Sequence, residues 1–306
     1  MTLPNLSSSP PQGRSLLWIY LKLVGMTLIW GGTFIAGRIA VQSMGPICAA
    51  FYRYAVATVL LVAWMLYREG GLPPLQRRHI LPLTLLGLSG IFAYNIFFFL
   101  GLQTIPASRA SLIITTNPSV IALGAALVFG DRLTPSRLVG IAAALLGATL
   151  VISNGQPWAL LSQGITLGDL FLVGCVICWV IYTLVGKWVM ADLSPLTATT
   201  YACLIGTPLF IIPAIQDGLL TDWGEVAPAA WLGILYLAAL GTVVGFYWYY
   251  EGLQAIGPAR ASVFITLVPV VAVIAGLVIL QEPFTPSLAL GGLLVVTGVF
   301  FTNRRS

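Results

Sequence analysis

The stretch GLQTIPASRASLIITTNP (101–118) returns later in the chain as GLQAIGPARASVFITLVP (252–269). When position 101 is aligned with position 252, glycine, glutamine, arginine, serine and proline recur in the same order. Further matches follow, such as Trp30 with Trp179, at a slightly different offset. Chance similarity between apolar helices would not keep polar residues and prolines in order. The chain therefore contains an internal duplication.

The composition places both copies in a membrane. Of the 306 residues, 58% are hydrophobic and 8% are charged, whereas a soluble domain carries roughly 25% charged residues. Several apolar stretches reach the length of about 20 residues that a membrane-spanning helix needs, without the alternation of barrel strands. We predict ten membrane helices, at about 18–41, 46–67, 80–102, 107–129, 136–153, 168–190, 196–216, 230–253, 258–280 and 286–303.

Each copy contains five predicted helices, and this odd number inverts the second copy relative to the first. Two inverted halves can pack in two arrangements, each open to one side of the membrane, so that a site between them has alternating access. The predicted fold is an all-α membrane protein with two inverted-topology repeats of five transmembrane helices.

Basic residues near the helix ends set the orientation. A cytoplasmic N-terminus places all Lys and Arg residues on the inner side except Arg38, Arg53 and Arg109. We therefore predict that both termini are cytoplasmic. The net charge of +5 reflects this bias toward anionic lipid, so the predicted partners are the lipid bilayer and a small-molecule substrate, not nucleic acid.

The chain divides into five predicted segments. A Ser- and Pro-rich start has the composition of a disordered segment, and the first apolar run reads as a retained membrane helix rather than a signal peptide. The segments are a disordered cytoplasmic N-terminus (1–15), a first repeat (16–153), a periplasmic linker (154–167), a second repeat (168–303) and a cytoplasmic tail (304–306).

Three stretches carry a resemblance to a known family. LIWGGTFIAGRIAVQSMGPICAAFYRYAVA (28–57) resembles the opening of an EamA-type unit. NPSVIALGAALVFGDRLTPSRLVGIAAALLGATLVI (117–152) and VPVVAVIAGLVILQEPFTPSLALGGLLVVTGVF (268–300) resemble its closing helices. The resemblance is to the drug/metabolite transporter superfamily and covers nearly the whole chain after residue 15. It implies ten helices in two inverted units and transport of small metabolites, and within the superfamily the chain looks most like exporters of amino acids, including aromatic ones. After its fourth helix, the second unit has LQEPFT where the first has GDRLT. We therefore expect the contacts at this end of the fourth helix to differ between the two units.

Aromatic residues at helix centres point to a cavity. Trp30 and Trp179 lie too deep for the interfacial aromatic belt. Polar residues share the face of each tryptophan by helical spacing: Thr33 and Arg38 in the first repeat, Tyr182 and Lys187 in the second. We predict a cavity wall that binds an amphipathic substrate, with Arg38 and Lys187 at its mouths. Helix packing with snorkelling ends is the alternative.

Arg53 lies about two turns inside the second predicted helix, where the second repeat has Ala202. A cation at membrane depth costs about 2.5–3.5 kcal/mol, and a guanidinium matches the geometry of a carboxylate. We predict that Arg53 binds a substrate carboxylate, with a structural tie to nearby helix ends as the alternative. The third and eighth predicted helices contribute three more candidates to the site: Tyr94, Asn95 and Trp248.

Two prolines and one carboxylate are candidate gating residues. Pro118 and Pro269 fall at the centres of their predicted helices, where a proline kinks the helix. The bends either flex during gating or are fixed. Glu251 either carries a coupling proton or pairs with Arg260 or Lys187 at the inner edge.

Other chemistry is not indicated by the sequence. Cys175 and Cys178 form a CxxC without a second pair, and no P-loop is present. We therefore predict no enzyme activity, catalytic residue, cofactor or metal. The predicted function is a secondary transporter in the inner (plasma) membrane that exports small amphipathic metabolites, amino acids above all. A passive channel, a lipid enzyme and a structural scaffold are the alternatives.

Overall fold

The computed structural model describes residues 16–130, 134–158, 165–221, 226–257, 260–261 and 264–303. In these ranges the chain is helical and contains no strand. Eight helices are long and apolar enough to cross a membrane, and two apolar helices are shorter. In chain order they are α1 (Leu16–Ala40), α2 (Pro46–Glu69), α3 (Arg77–Thr104), α4 (Ala107–Val128), α5 (Pro135–Ile152), α6 (Leu167–Val189), α7 (Pro195–Gln216), α8 (Pro228–Ile256), α9 (Phe264–Ile279) and α10 (Pro286–Thr302).

These helices correspond to the ten apolar stretches of the sequence. The shorter two are α9 and α10. The predicted start of the ninth helix includes positions outside the described residues, as do the predicted N-terminal segment and the C-terminal tail.

Both repeats show the same irregularity in their third helix. A π-helical segment, Gly87–Ala93, interrupts α3, and a second, Tyr236–Val244, interrupts α8. A π-helix fits more residues into a turn than an α-helix and often marks a functional site. Because α8 is the repeat counterpart of α3, the backbone reproduces the duplication seen in the sequence.

The regular α-helix is interrupted in the fourth helix of each repeat. In α4 a helix ends at Ile114 and a new one begins at Asn117, and in α9 a short 3₁₀ segment precedes the helix Val268–Ile279. Pro118 and Pro269 each lie in the first turn of the new helix. That position suits proline because its missing N–H would have no partner inside the helix. The two prolines thus lie where the regular α-helix resumes after an interruption.

Glycines bring α5 and α10 into close contact. A Cβ atom on Gly140 would lie 2.5 Å from the carbonyl oxygen of Gly298, and one on Gly147 would lie 2.6 Å from that of Gly291. Residue numbers rise along one helix as they fall along the other, so the two helices are antiparallel. The repeat alignment matches Gly140 with Gly291 and Gly147 with Gly298. Two helices related by the duplication thus run in opposite directions, as an inverted repeat requires.

Candidate functional site

A matched pair of tryptophans marks the centre of the molecule. Trp30 of α1 and Trp179 of α6 contact each other edge to face, with ring centroids 5.4 Å apart. The repeat maps each of these residues onto the other, so the pseudo-two-fold axis passes between them. Phe246 of α8 packs on both rings, at 5.9 Å from Trp30 and 5.6 Å from Trp179.

A cavity lies against this aromatic cluster. The cavity is small, with a volume of about 40 Å³. Its apolar lining from the first repeat consists of Trp30, Phe34, Phe98 and Ile114. A cavity of this size is smaller than an amino acid with an aromatic side chain.

The two repeats contribute different chemistry to the cavity wall. The polar lining residues all come from the first repeat: Thr33, Arg53, Tyr94 and Asn117. The second repeat contributes aromatic and aliphatic residues: Trp179, Phe246, Ile265 and Val268. An amphipathic ligand in this cavity would therefore meet polar groups on one wall and apolar side chains on the other.

Arg53 is held in place by neutral partners from two other helices. Its Nε donates to Thr242 Oγ1 of α8 at 3.0 Å, and its Nη1 donates to Asn95 Oδ1 of α3 at 2.9 Å. Asn95 in turn donates from Nδ2 to the Tyr54 hydroxyl at 3.0 Å and to the Ile91 carbonyl oxygen at 2.8 Å. The predicted site residue Asn95 therefore lies behind Arg53 and orients its guanidinium.

The charge of Arg53 faces the cavity without a carboxylate partner. Arg53 is 4% exposed, and the ion pairs seen in the described part of the chain involve other residues. Its guanidinium carbon lies 5.1 Å from the centroid of the Tyr54 ring, a cation–π contact that offsets part of the desolvation cost. A buried cation with neutral hydrogen-bond partners is a candidate binding site for an anion.

The aromatic candidates divide into a cavity wall and a supporting layer. Tyr94 lines the cavity and packs on Trp179 at 5.4 Å. Tyr182 is fully buried behind Trp179, at 5.2 Å from its ring. Thr33 lines the cavity, while its hydroxyl donates to the Trp30 carbonyl oxygen at 2.6 Å.

Trp248, predicted at the site, lies elsewhere. Its half-buried ring packs on Gly25 of α1, and Phe246 occupies the cavity position instead. Two residues correspond to roughly 200° of rotation about a helix axis, so the side chains of Phe246 and Trp248 leave α8 on nearly opposite sides.

The two predicted mouth cations lie away from the cavity lining. Arg38 donates from Nη1 to the carbonyl oxygen of Leu102, which ties the end of α1 to the end of α3. Lys187 is exposed near the end of α6.

Glu251 forms an ion pair between the repeats. Its Oε2 lies 2.5 Å from Nζ of Lys22, and both side chains are about nine-tenths buried. The partner in this pair is a residue of α1, which is not among the predicted partners Arg260 and Lys187. The contact joins the first helix of one repeat to the third helix of the other. We call the end of the bundle that holds it the Glu251 end.

The opposite end, which we call the Asp169 end, is also tied between repeats. Arg109 at the start of α4 donates from Nη2 to Asp169 Oδ2 of α6 at 2.6 Å. Glu282, after α9, accepts from the backbone N–H groups of Ala107 and Ser108 at 2.7 and 3.0 Å. A carboxylate at a helix start satisfies N–H groups that have no partner within the helix. The sequence departure in the second repeat, LQEPFT, thus supplies a helix cap for α4. In the first repeat, residues 131–133 of GDRLT lie outside the described residues.

Asn117 belongs to the cavity but was not predicted. It is 1% exposed, and its Oδ1 atom has no hydrogen-bond partner among the described residues. The repeat alignment contained a signal that could have identified it. Position 117 matches position 268, where the second repeat has Val268. As with Arg53 and Ala202, the first repeat has a polar residue where the second repeat has an apolar one.

A metal ion in a protein is held by several His, Cys, Asp or Glu side chains that lie together. In the ranges that the structure covers, no group of three or more His, Cys, Asp or Glu side chains lies together. The described site consists of aromatic rings, neutral polar groups and one cation, which are groups that bind and orient a ligand.

Comparison with known proteins assigns a family to both repeats. The profile of the "EamA-like transporter family" matches residues 17–153 and, a second time, residues 166–304. A crystal structure of another protein matches with a TM-score of 0.67 and 21% identity, over 94% of this chain and 98% of that one. This likeness supports the fold.

Several curated proteins are similar over most of their length. The uncharacterized transporter YyaM of Bacillus subtilis is 29% identical over 92% of each chain. A probable terminal-alkyne amino-acid exporter of Streptantibioticus cattleyicolor is 28% identical over 93% of each chain. The uncharacterized inner membrane transporter YedA of Escherichia coli K12 is 28% identical over 86% of this chain and 83% of its own.

Proposed function

Because the chain belongs to the EamA-like transporter family, with one family unit in each repeat, we propose that it is a secondary transporter that exports small amphipathic metabolites. It is a multi-pass protein of the inner membrane. The proposed substrates are amino acids, including aromatic ones, and the proposed mechanism is alternating access rather than catalysis. A relative described as a probable amino-acid exporter supports this substrate class.

One observation carries the proposal. The buried Arg53 guanidinium lines a cavity at the pseudo-two-fold axis and, within the described ranges, forms no ion pair with a protein carboxylate. Aromatic rings line the same cavity. A guanidinium binds a carboxylate through parallel hydrogen bonds, and rings pack on apolar or aromatic groups. Amino acids with apolar side chains carry both features.

The small size of the cavity favours a carrier over an open pore. A volume of about 40 Å³ does not admit an aromatic amino acid, so the helices around the cavity must rearrange for substrate to enter. The Lys22–Glu251 and Arg109–Asp169 pairs tie the repeats at opposite ends of the bundle. We propose that these ends open alternately.

The orientation of the chain gives this motion a direction. We propose ten transmembrane helices with both termini in the cytoplasm, organised as 16–153 and 168–303 around a linker at 154–167. The Glu251 end then faces the cytoplasm, and the Asp169 end faces the periplasm. Basic residues concentrate on the proposed cytoplasmic side, as the positive-inside rule requires.

Counterflow in proteoliposomes tests the proposal. Purified protein is reconstituted into vesicles loaded with unlabelled phenylalanine, and uptake of labelled phenylalanine is followed, with a labelled sugar as the control solute. A carrier gives saturable phenylalanine uptake that depends on phenylalanine inside the vesicle. Flux that rises linearly with concentration and ignores the internal solute would indicate a passive pore. Saturable transport of the sugar with none of phenylalanine would refute the substrate class.

A further inference from the structure

An unpaired acceptor lies on the polar wall of the cavity. Asn117 begins the second half of α4, directly after the break at Thr115 and Thr116. The side chain is buried on the cavity wall, yet its Oδ1 atom receives no hydrogen bond within the described part of the chain. Buried polar groups in native proteins nearly always have a partner. A buried oxygen without a partner, on a residue that lines the cavity, is therefore a candidate ligand contact.

The scaffold itself does not require an asparagine at this position. In the matched helix of the second repeat a 3₁₀ segment leads into the α-helix, with Val268 in place of Asn117 and with the proline retained at the next position. Both residues line the same cavity. The helix restart is thus compatible with an apolar residue, and the amide in the first repeat needs another explanation.

The chemistry of the acceptor restricts its ligand. Arg53 can only donate hydrogen bonds, whereas an unpaired amide oxygen can only accept them. Pro118 has no N–H to give to the carbonyl of Ile114, four residues earlier, and Ile114 also lines the cavity. The interruption in α4 therefore places two hydrogen-bond acceptors beside the cavity, the side-chain oxygen of Asn117 and the carbonyl oxygen of Ile114. An ammonium group, with three donors and a positive charge, fits such a site.

We infer that Asn117 Oδ1 accepts a hydrogen bond from the ammonium group of the substrate, so that the cavity recognises both charged ends of an α-amino acid. The inference rests on the proposed function and extends it. In an α-amino acid the carboxylate and the ammonium are attached to one carbon. Arg53 and Asn117 line one small cavity, so one ligand can reach both. The rings from the second repeat then contact its side chain.

Three related ligands separate the two contacts. Phenylalanine has both charged groups, phenylalaninamide lacks the carboxylate, and 3-phenylpropanoate lacks the ammonium. Binding of each to the purified protein is measured by its effect on tryptophan fluorescence, since Trp30 and Trp179 line the cavity. Asn117→Val, which copies the second repeat, should weaken phenylalanine and phenylalaninamide by about tenfold to hundredfold, the range for a hydrogen bond to a charged group. Binding of 3-phenylpropanoate should change by less than about threefold.

A conservative variant guards against a structural explanation. Asn117→Asp keeps an acceptor oxygen at the same place and should retain the preference for ligands with an ammonium group. An equal loss for all three ligands in Asn117→Val, or an Asn117→Asp variant that loses the preference, would overturn the inference and leave the proposed function intact. A wild-type protein that binds none of the three ligands would overturn both.

Discussion

The charge of Arg53 should decide how tightly an amino acid binds. In the structure the guanidinium has one neutral partner on α3 and one on α8, and none of the ion pairs seen in the described ranges involves it. If a substrate carboxylate completes the site, Arg53→Gln removes a charge-assisted contact of about 1.5–3 kcal/mol. That corresponds to a roughly tenfold to hundredfold loss of affinity.

Comparing an acid with its amide isolates this effect. Phenylalanine should lose affinity for Arg53→Gln, while phenylalaninamide should change by less than about threefold, because its amide group carries no charge. Arg53→Lys should recover part of the phenylalanine affinity, since an ammonium keeps the charge but lacks the planar fork. Competition against counterflow of labelled phenylalanine measures the affinity of the wild type and of both variants for each ligand.

A control and a stability measurement keep the result interpretable. Arg68 is an exposed arginine at the other end of the same helix, so Arg68→Gln should bind both ligands as the wild type does. Arg53→Gln also leaves Asn95 Oδ1 short of a donor, which costs about 1–3 kcal/mol if no other group replaces it. The melting temperature of each variant is therefore measured together with its affinity for the two ligands. Equal losses for the acid and the amide would refute a carboxylate contact and leave Arg53 as a structural tie.

Three further changes test the packing, the ties and the break. Gly298→Ala places a Cβ 2.6 Å from the Gly140 carbonyl oxygen and should lower the free energy of unfolding by about 1–3 kcal/mol. The control is Gly292→Ala, whose Cβ meets only a leucine side chain at 3.3 Å. Equal melting temperatures for the two variants would contradict the close contact between α5 and α10. Glu251→Gln removes the tie to α1 and should speed labelling of a Thr33→Cys probe from the cytoplasmic side; unchanged labelling would argue against a gate. Pro118→Ala supplies an N–H that can close the break in α4, so kcat for counterflow should fall while KM holds, and unchanged kinetics would indicate a fixed break.

The helices and the duplication could be predicted because both leave a direct trace in the sequence. Apolar runs mark the helices, since a lipid-facing helix needs apolar residues along its length. The glycines of α5 and α10 were already visible as matched pairs, and the structure shows why glycine is needed there: the two backbones touch. Backbone contact admits no side chain, so both copies of the repeat retain glycine.

The face of α8 could not be predicted in the same way. Trp248 is the sequence-predicted site residue, whereas Phe246 lines the cavity. The π-helical segment Tyr236–Val244 precedes both residues, and its larger number of residues per turn shifts the rotational position of everything that follows. The same segment places Thr242 against Arg53 and the Gly241 carbonyl oxygen against Trp30 Nε1, at 3.0 Å in each case. Local backbone irregularity of this kind has no reliable signal in a single sequence.

Departures from the repeat carry the functional information. On the axis the two copies agree, and Trp30 meets Trp179. Around the cavity they disagree: Arg53 and Asn117 in the first repeat match Ala202 and Val268 in the second. A symmetric site would present the same groups on both walls and would suit a symmetric ligand. Hydrogen-bonding and charged side chains on one wall, opposite aromatic and aliphatic ones, suit a ligand with one charged end and one apolar end, so this asymmetry supports an amino acid with an apolar side chain as the proposed substrate.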